Sequence, residues 1–286
     1  MGIKDIGKSI RAKLLNISKA ENQPYQLLLT RYIQERLLYR LSQSRFRERF
    51  LLKGGALLYA HEQFRARPSL DIDFLGDRID RDKEYVRETF REICDIPCDE
   101  DGITFDVTSL TAEEITENKV YHGIRLHVPA RLDTIRQIIS MDIGFGDVIT
   151  PQPEELDYPV LLAGVPSVCV MAYSLETVVA EKFQAMIDLG EQNSRMKDFF
   201  DVYRILSSGK LDERLLQLAI AATFSNRRTT YIPGHPLFRT EFASDPARIA
   251  LWKGFLRKIK YQHDLPFEKV IMSIREQLRP YWVMLQ

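Results

Sequence analysis

Two carboxylates stand two residues apart in Arg67-Pro68-Ser69-Leu70-Asp71-Ile72-Asp73-Phe74. Alternate side chains of a strand share a face, so Asp71 and Asp73 point one way and Ile72 and Phe74 the other. Carboxylates this close repel unless a cation or a proton intervenes. A hard divalent ion such as Mg2+ takes oxygen ligands, and often binds through one or two carboxylates with substrate phosphates. An isolated Asp-x-Asp also describes two solvated side chains on an exposed strand. The surroundings favour chemistry. Gly54-Gly55 lies between the short apolar run Phe50-Leu51-Leu52 and a helical stretch. Bare backbone amides there can approach a phosphate at a helix N-terminus. Ser69 precedes Asp71 by two and shares its face, within reach of a phosphate oxygen.

A third carboxylate comes from Ile139-Ser140-Met141-Asp142-Ile143-Gly144-Phe145. Ile139, Met141, Ile143 and Phe145 alternate as an apolar row, which turns Asp142 to the opposite face with Ser140 and Gly144. If this strand lies beside that of Asp71, Asp142 completes a three-carboxylate metal site; the plain alternative is an edge-strand Asp facing water. A second cluster follows: Glu181-Lys182, then Asn193-Ser194-Arg195-Met196-Lys197-Asp198-Phe199-Phe200-Asp201. Lys182 sits among Val178, Val179, Phe183 and Met186, so it either snorkels to water or is held against a phosphate. Asp198 and Asp201 are one helical turn apart and therefore neighbours. Taken alone, this second cluster reads as a salt-bridged, solvated helix face.

These side chains need a scaffold. Ile3, Ile6, Ile10 and Leu14 predict an amphipathic helix over 3–16 with a basic side, docked on the protein's own core. A second helix is predicted over 23–43. Strand-like stretches follow at 50–52, 70–75, 103–109, 121–128 and 136–145, with helices after Gly55 and over 81–94. This mixture indicates an α/β or α+β unit. Pro151, Pro153, Pro159, Gly164 and Pro166 read as a linker. Beyond Ser174 the pattern is helical: 174–189, 197–207, 211–223, 245–262 and 266–279. The expected division is 1–165, N-terminal helices with a mixed catalytic domain, and 166–286, a helical domain.

Composition bounds what the chain can do. Lys+Arg and Asp+Glu are both 40, so nothing pulls the whole chain towards nucleic acid. An RNA contact would need a local patch, for which Arg45, Arg47, Arg49, Arg227, Arg228, Arg257, Lys258 and Lys260 are candidates. Cys94, Cys98 and Cys169 form no disulfide framework and suggest a reducing compartment. The first ten residues lack the apolar core of a signal peptide, and no run approaches a membrane span. A cytoplasmic protein is expected. His61, His122, His127, His235 and His263 show no paired-ligand spacing, which disfavours a zinc hydrolase.

The chain resembles the AbiEii/AbiGii toxin family of the DNA polymerase beta-like nucleotidyltransferase superfamily. The matching pieces are Leu52-Lys53-Gly54-Gly55, Arg67-x-Ser69-x-Asp71-x-Asp73, Met141 to Asp147, Ala180 to Ala185 and Asn193 to Tyr203, in the family's order. The resemblance implies an α+β fold: a nucleotidyltransferase-type mixed sheet flanked by helices, with N-terminal helices and a helical C-terminal domain. It implies Mg2+ or Mn2+ and an NTP substrate. Asp71, Asp73 and Asp142 would bind metal. Lys53, Gly54, Gly55, Arg67, Ser69, Lys182 and Arg195 would meet the nucleotide. Asp198 would be the essential late carboxylate, a base or an organiser of Lys182. Some members are toxins of toxin–antitoxin pairs that add nucleotides to tRNA 3′ ends, so RNA and an antitoxin protein are the implied partners. The chain departs from the wider superfamily in carrying Gly-Gly where Gly-Ser is common. Transfer to a protein or small molecule, and a non-catalytic nucleotide- or RNA-binding module of the same fold, stand as alternatives.

Overall fold

The computed structural model describes residues 5–117 and 121–286. The chain divides into two compact units, Met1–Gly146 with Glu154–Ala172, and Asp147–Pro153 with Tyr173–Gln286. The first is built on a mixed sheet of β1 (Phe50–Lys53), β2 (Asp71–Gly76), β3 (Ile103–Phe105), β4 (Thr111–Glu117), β5 (Tyr121–Leu132), β6 (Ile135–Phe145), β7 (Glu154–Tyr158) and β8 (Val168–Ala172). Their order is β3-β5-β6-β2-β1-β8-β7, with β4 added along β5. β2 runs parallel to β6 and β1 parallel to β8; the other pairs are antiparallel.

Period-two alternation is realised across the middle of the sheet. Leu52, Phe74, Ile143 and Ile124 are cross-strand partners in one row, and Ile72, Met141 and Leu126 in the next. All are at most 2 % exposed, so this face is core. Phe90 of α4 (Lys83–Cys94) covers it, its ring 4.8 Å from Phe50. Cys94 on the same helix is buried, and burial pushes its thiol up to about 12, as suits a packing residue.

The N-terminal helices behave as their patterns predict. α1 (Ile6–Ala20) buries Ile10 and Leu14, and Arg11 bonds Asp133 at 2.5 Å, so the helix docks on its own unit. Ile3 and Lys4, which the amphipathic pattern includes, lie outside the described residues. α2 (Tyr25–Gln43) is buried nearly all round, with Arg40 paired to Asp101 at 2.6 Å.

Three stretches differ from expectation. The strand predicted over 103–109 stops at Phe105, because Asp106 accepts hydrogen bonds from Thr108 and Ser109 and turns the chain. β4, rich in Glu and Thr, carries little apolar signal. The segment read as a linker contains β7, and β8 follows it. Its prolines flank the strands, at 153, 159 and 166, and do not interrupt them.

The second unit is helical: α5 (Leu175–Leu189), α6 (Met196–Leu206), α7 (Glu213–Asn226), α8 (Thr240–Ser244), α9 (Pro246–Lys258) and α10 (Phe267–Val283). Its core is aromatic, with Phe199 and Trp252 against Phe267 at 5.6 and 5.5 Å. No helix among the described residues is long and apolar enough to cross a membrane.

Candidate active site

β2 and β6 are adjacent and parallel, which puts Asp73 opposite Asp142 and Asp71 opposite Ser140. The row continues to both sides. Lys53 of β1 is the partner of Asp73, Arg125 of β5 that of Asp142, and Glu113 of β4 that of Arg125. The face opposite the core is therefore a charged row across five strands: Lys53, Asp73, Asp142, Arg125, Glu113. Beside it run Asp71, Ser140 and His127. His127 Nδ1 lies 3.2 Å from Ser140 Oγ. Lys53 reaches across β2, since a Cβ on Gly144 would lie 3.9 Å from its Nζ.

The glycine pair closes one side of this face. Gly54 has φ +65°, a left-handed conformation that suits glycine. A Cβ there would fall 1.9 Å from Asp73 Oδ2, so the backbone can lie against the carboxylate only because none is present. Gly54 also opens α3 (Gly54–Glu62), whose N-cap residue, Lys53, makes no side-chain cap hydrogen bond. A Cβ on Gly55 would fall 2.3 Å from Ser69 Oγ and 3.7 Å from Arg67 Nη1. Ser69 thus fills the space that a serine at position 55 would need, which gives the Gly-Gly departure a physical reason. Gly55→Ser is expected to cost about 1–3 kcal/mol by overpacking unless Ser69 swings away. Thermal unfolding of Gly55→Ser beside Gly55→Ser/Ser69→Ala checks this; the second change is expected to recover most of the loss, and no recovery would contradict it.

The residues fit a divalent ion in part. The donors are carboxylate oxygens, which suit a hard ion, and Asp71 and Asp73 share a face next to bare backbone. Asp142 is engaged elsewhere. Arg125 donates to it through Nε and Nη2, both at 2.7 Å. The Asp142 bond, with Asp71 and Glu113 nearby, raises the guanidinium's affinity for its proton above the ordinary value. Among the described residues, no three His, Cys, Asp or Glu side chains are gathered closely enough to hold an ion. Reading the sequence did not single out Arg125, although the alternation of Ile124, Leu126 and Val128 already sends Arg125 and His127 to the polar face.

The second unit holds the other predicted residues. Lys182 of α5 donates to Asp198 Oδ1 and lies 3.0 Å from Asp201 Oδ2, both on α6. Arg195 Nε donates to Asp198 Oδ2 at 2.7 Å. Asp198 and Asp201 are each only 2 % exposed, so this is a buried ion cluster and not the solvated helix face that spacing alone suggested. Burial would push the Asp198 carboxyl up, but Lys182 and Arg195 outweigh it and hold the carboxyl below its usual range. Arg227, considered above as a surface phosphate contact, bonds Asp147 at 2.8 Å and Gln184 at 2.8 Å inside this unit. Arg45 and Arg47 are paired with Glu92 and Glu155. Arg228, Arg257, Lys258 and Lys260 are exposed.

A mixed sheet with a glycine turn, an Asp-x-Asp strand and a parallel neighbour bearing a third Asp is a nucleotidyltransferase-type arrangement. A family description, "Nucleotidyl transferase AbiEii toxin, Type IV TA system", matches residues 36–273, most of the chain. The chain belongs to this AbiEii nucleotidyl transferase toxin family. Membership implies nucleotidyl transfer from an NTP and an antitoxin partner. The fold is similar to that of JHP933 from Helicobacter pylori, at TM-score 0.50 and 15% identity over 92% of this chain and 94% of that one. It is also similar to another solved structure from that organism, provisionally described as that of a nucleotidyltransferase, at TM-score 0.50 and 16% identity over 92% and 97% of the two chains. At these identities the likeness concerns the fold alone. No curated protein sequence matches the chain at a significant level.

Proposed function

We propose that this protein is a divalent-metal-dependent nucleotidyltransferase that moves a nucleoside monophosphate from an NTP onto RNA, at a tRNA 3′ end, as the toxin of a toxin–antitoxin pair. The reading is carried by one observation: Asp71, Asp73 and Asp142 share a sheet face whose edge is a glycine turn at the start of a helix. Mg2+ or Mn2+ would be held by Asp71 and Asp73, with Asp142 as the third ligand, and would polarise the phosphate oxygens.

The chain's own groups do the rest. The Gly54 and Gly55 amides, Lys53, Arg67 and Ser69 bind the triphosphate and offset the charge on the leaving pyrophosphate. The acceptor hydroxyl oxygen bonds to the α-phosphorus in line as the bond to the bridging oxygen breaks. Lys182, with Arg195, is assigned to phosphate. Lys182 and Arg195 hold both oxygens of the buried Asp198, which supports a positioning role for it. Asp142, partly exposed on the sheet face and held by Arg125, is assigned to draw the acceptor's proton once that pair opens. RNA as acceptor is supported by the family and by the exposed Arg257, Lys258 and Lys260.

The test incubates the protein with Mg2+, each α-labelled NTP in turn and total tRNA, beside Asp71→Ala. Label on tRNA from one NTP, absent in the variant, is the expected result. Label on protein or a small acceptor would keep the chemistry and overturn the RNA acceptor. No transfer, with no binding of Mg2+–NTP, would favour the inert-module alternative.

A further inference from the structure

The carboxylate face carries a cation of its own. Arg125 grips Asp142 with two hydrogen bonds of 2.7 Å, the two-armed geometry that makes Arg–carboxylate pairs strong. Its charge also feels Asp71 and Glu113. Ile124 and Leu126 on either side are buried, so the backbone of Arg125 is fixed in the sheet and only its side chain can change partners. The pair is 37% and 21% exposed, so an incoming anion can reach the guanidinium. A guanidinium suits phosphate as well as carboxylate, because both offer paired oxygens.

We infer, resting on the metal-dependent reading above, that Arg125 is a place-holding cation. It withholds Asp142 from the divalent ion until a nucleoside triphosphate arrives, and then moves its grip to phosphate oxygens as Asp142 turns to the ion. A carboxylate held in this way must break its pair to become a ligand. Ion and clamp therefore compete, and whatever draws Arg125 away favours the ion. Loading becomes ordered: the ion binds weakly to the free protein and tightly once nucleotide is present. Arg125 is a positioning residue in this scheme, acting through Asp142.

The test is a Mn2+ titration followed by electron paramagnetic resonance, on the full chain and on Arg125→Gln, Arg125→Lys and Asp73→Asn, without nucleotide and with a non-hydrolysable NTP analogue. Without nucleotide, Arg125→Gln is expected to bind Mn2+ on the order of tenfold tighter than the unaltered chain, within the usual range of coupling between sites. Arg125→Lys, which keeps the charge and loses the two-armed grip, should fall between them. The analogue should tighten Mn2+ binding to the unaltered chain more than to Arg125→Gln. Equal or weaker binding by Arg125→Gln, with unchanged thermal unfolding and with Asp73→Asn abolishing binding, would overturn the clamp and leave the ion site standing. If Arg125→Gln unfolds early, Arg125→Lys decides: binding equal to that of the unaltered chain overturns the clamp. No Mn2+ binding by any of the four chains, even with the analogue, would overturn the metal-dependent function and this inference with it.

Discussion

Asp73→Asn is expected to lower the rate of nucleotidyl transfer by about a thousandfold, with the protein still folded. The change keeps the size of the side chain and removes the charge that faces Asp142 across the parallel β2–β6 pair. A bound ion is worth several kcal/mol of charge stabilisation in a transition state, and each ~1.4 kcal/mol is tenfold in rate. Asp73 is partly exposed on the sheet face, while Ile72 and Phe74 on either side are buried. Loss of its charge should therefore leave the core packing intact. Steady-state rates with saturating NTP check the prediction, and unchanged circular dichroism separates chemistry from folding. A loss below tenfold would remove Asp73 from the ion.

Lys182→Met is expected to destabilise the second unit by about 3–5 kcal/mol, the usual cost of removing one partner from a buried ion pair. Lys182 serves both Asp198 and Asp201, and Arg195 supports only the first. Its loss takes one cation away from two buried carboxylates. Hydrogen exchange at the amides of α5 and α6 reads the effect within the unit. Lys182→Met/Asp201→Asn should recover part of it, because the cation and one of the carboxylates it serves lose their charges together. The cluster also sets a pH dependence. The Asp198 carboxyl is held lower in the folded protein than in the unfolded chain. Its stabilisation is therefore complete above the ordinary carboxylate range, about pH 4, and is lost as the pH falls through the lower folded value. Lys182→Met should weaken that acid dependence. An unchanged profile would show that Lys182 does not hold Asp198 down.

The two halves of the site were legible to different degrees. Alternation in Leu70–Phe74 and Ile139–Phe145 assigns each Asp to a face, because a strand has a fixed period of two. It cannot say that β2 and β6 are neighbours, or that Asp73 meets Asp142, because register is set by long-range pairing. Arg125 went unnoticed for the same reason, since its meaning depends on which strand lies beside it. In the second unit, helical spacing made Asp198 and Asp201 neighbours, but the burial that distinguishes an ion cluster from a solvated face comes from packing across α5 and α6. The strands β7 and β8 were hidden because their flanking prolines read as a linker. The core helices α2 and α5 were plain, since their apolar residues recur at helical intervals over many turns.

The most direct test of nucleotidyl transfer at the Asp71–Asp73–Asp142 face follows both ends of one nucleotide. The preferred NTP, labelled at the α-phosphate in one sample and at the γ-phosphate in another, is incubated with the protein, with Asp73→Asn and with acceptor RNA. Transfer at this face predicts α-label joined to the acceptor, γ-label released in equal amount as pyrophosphate, and neither from Asp73→Asn. Release of γ-label as orthophosphate without α-label on any acceptor, or full transfer by Asp73→Asn, would contradict it.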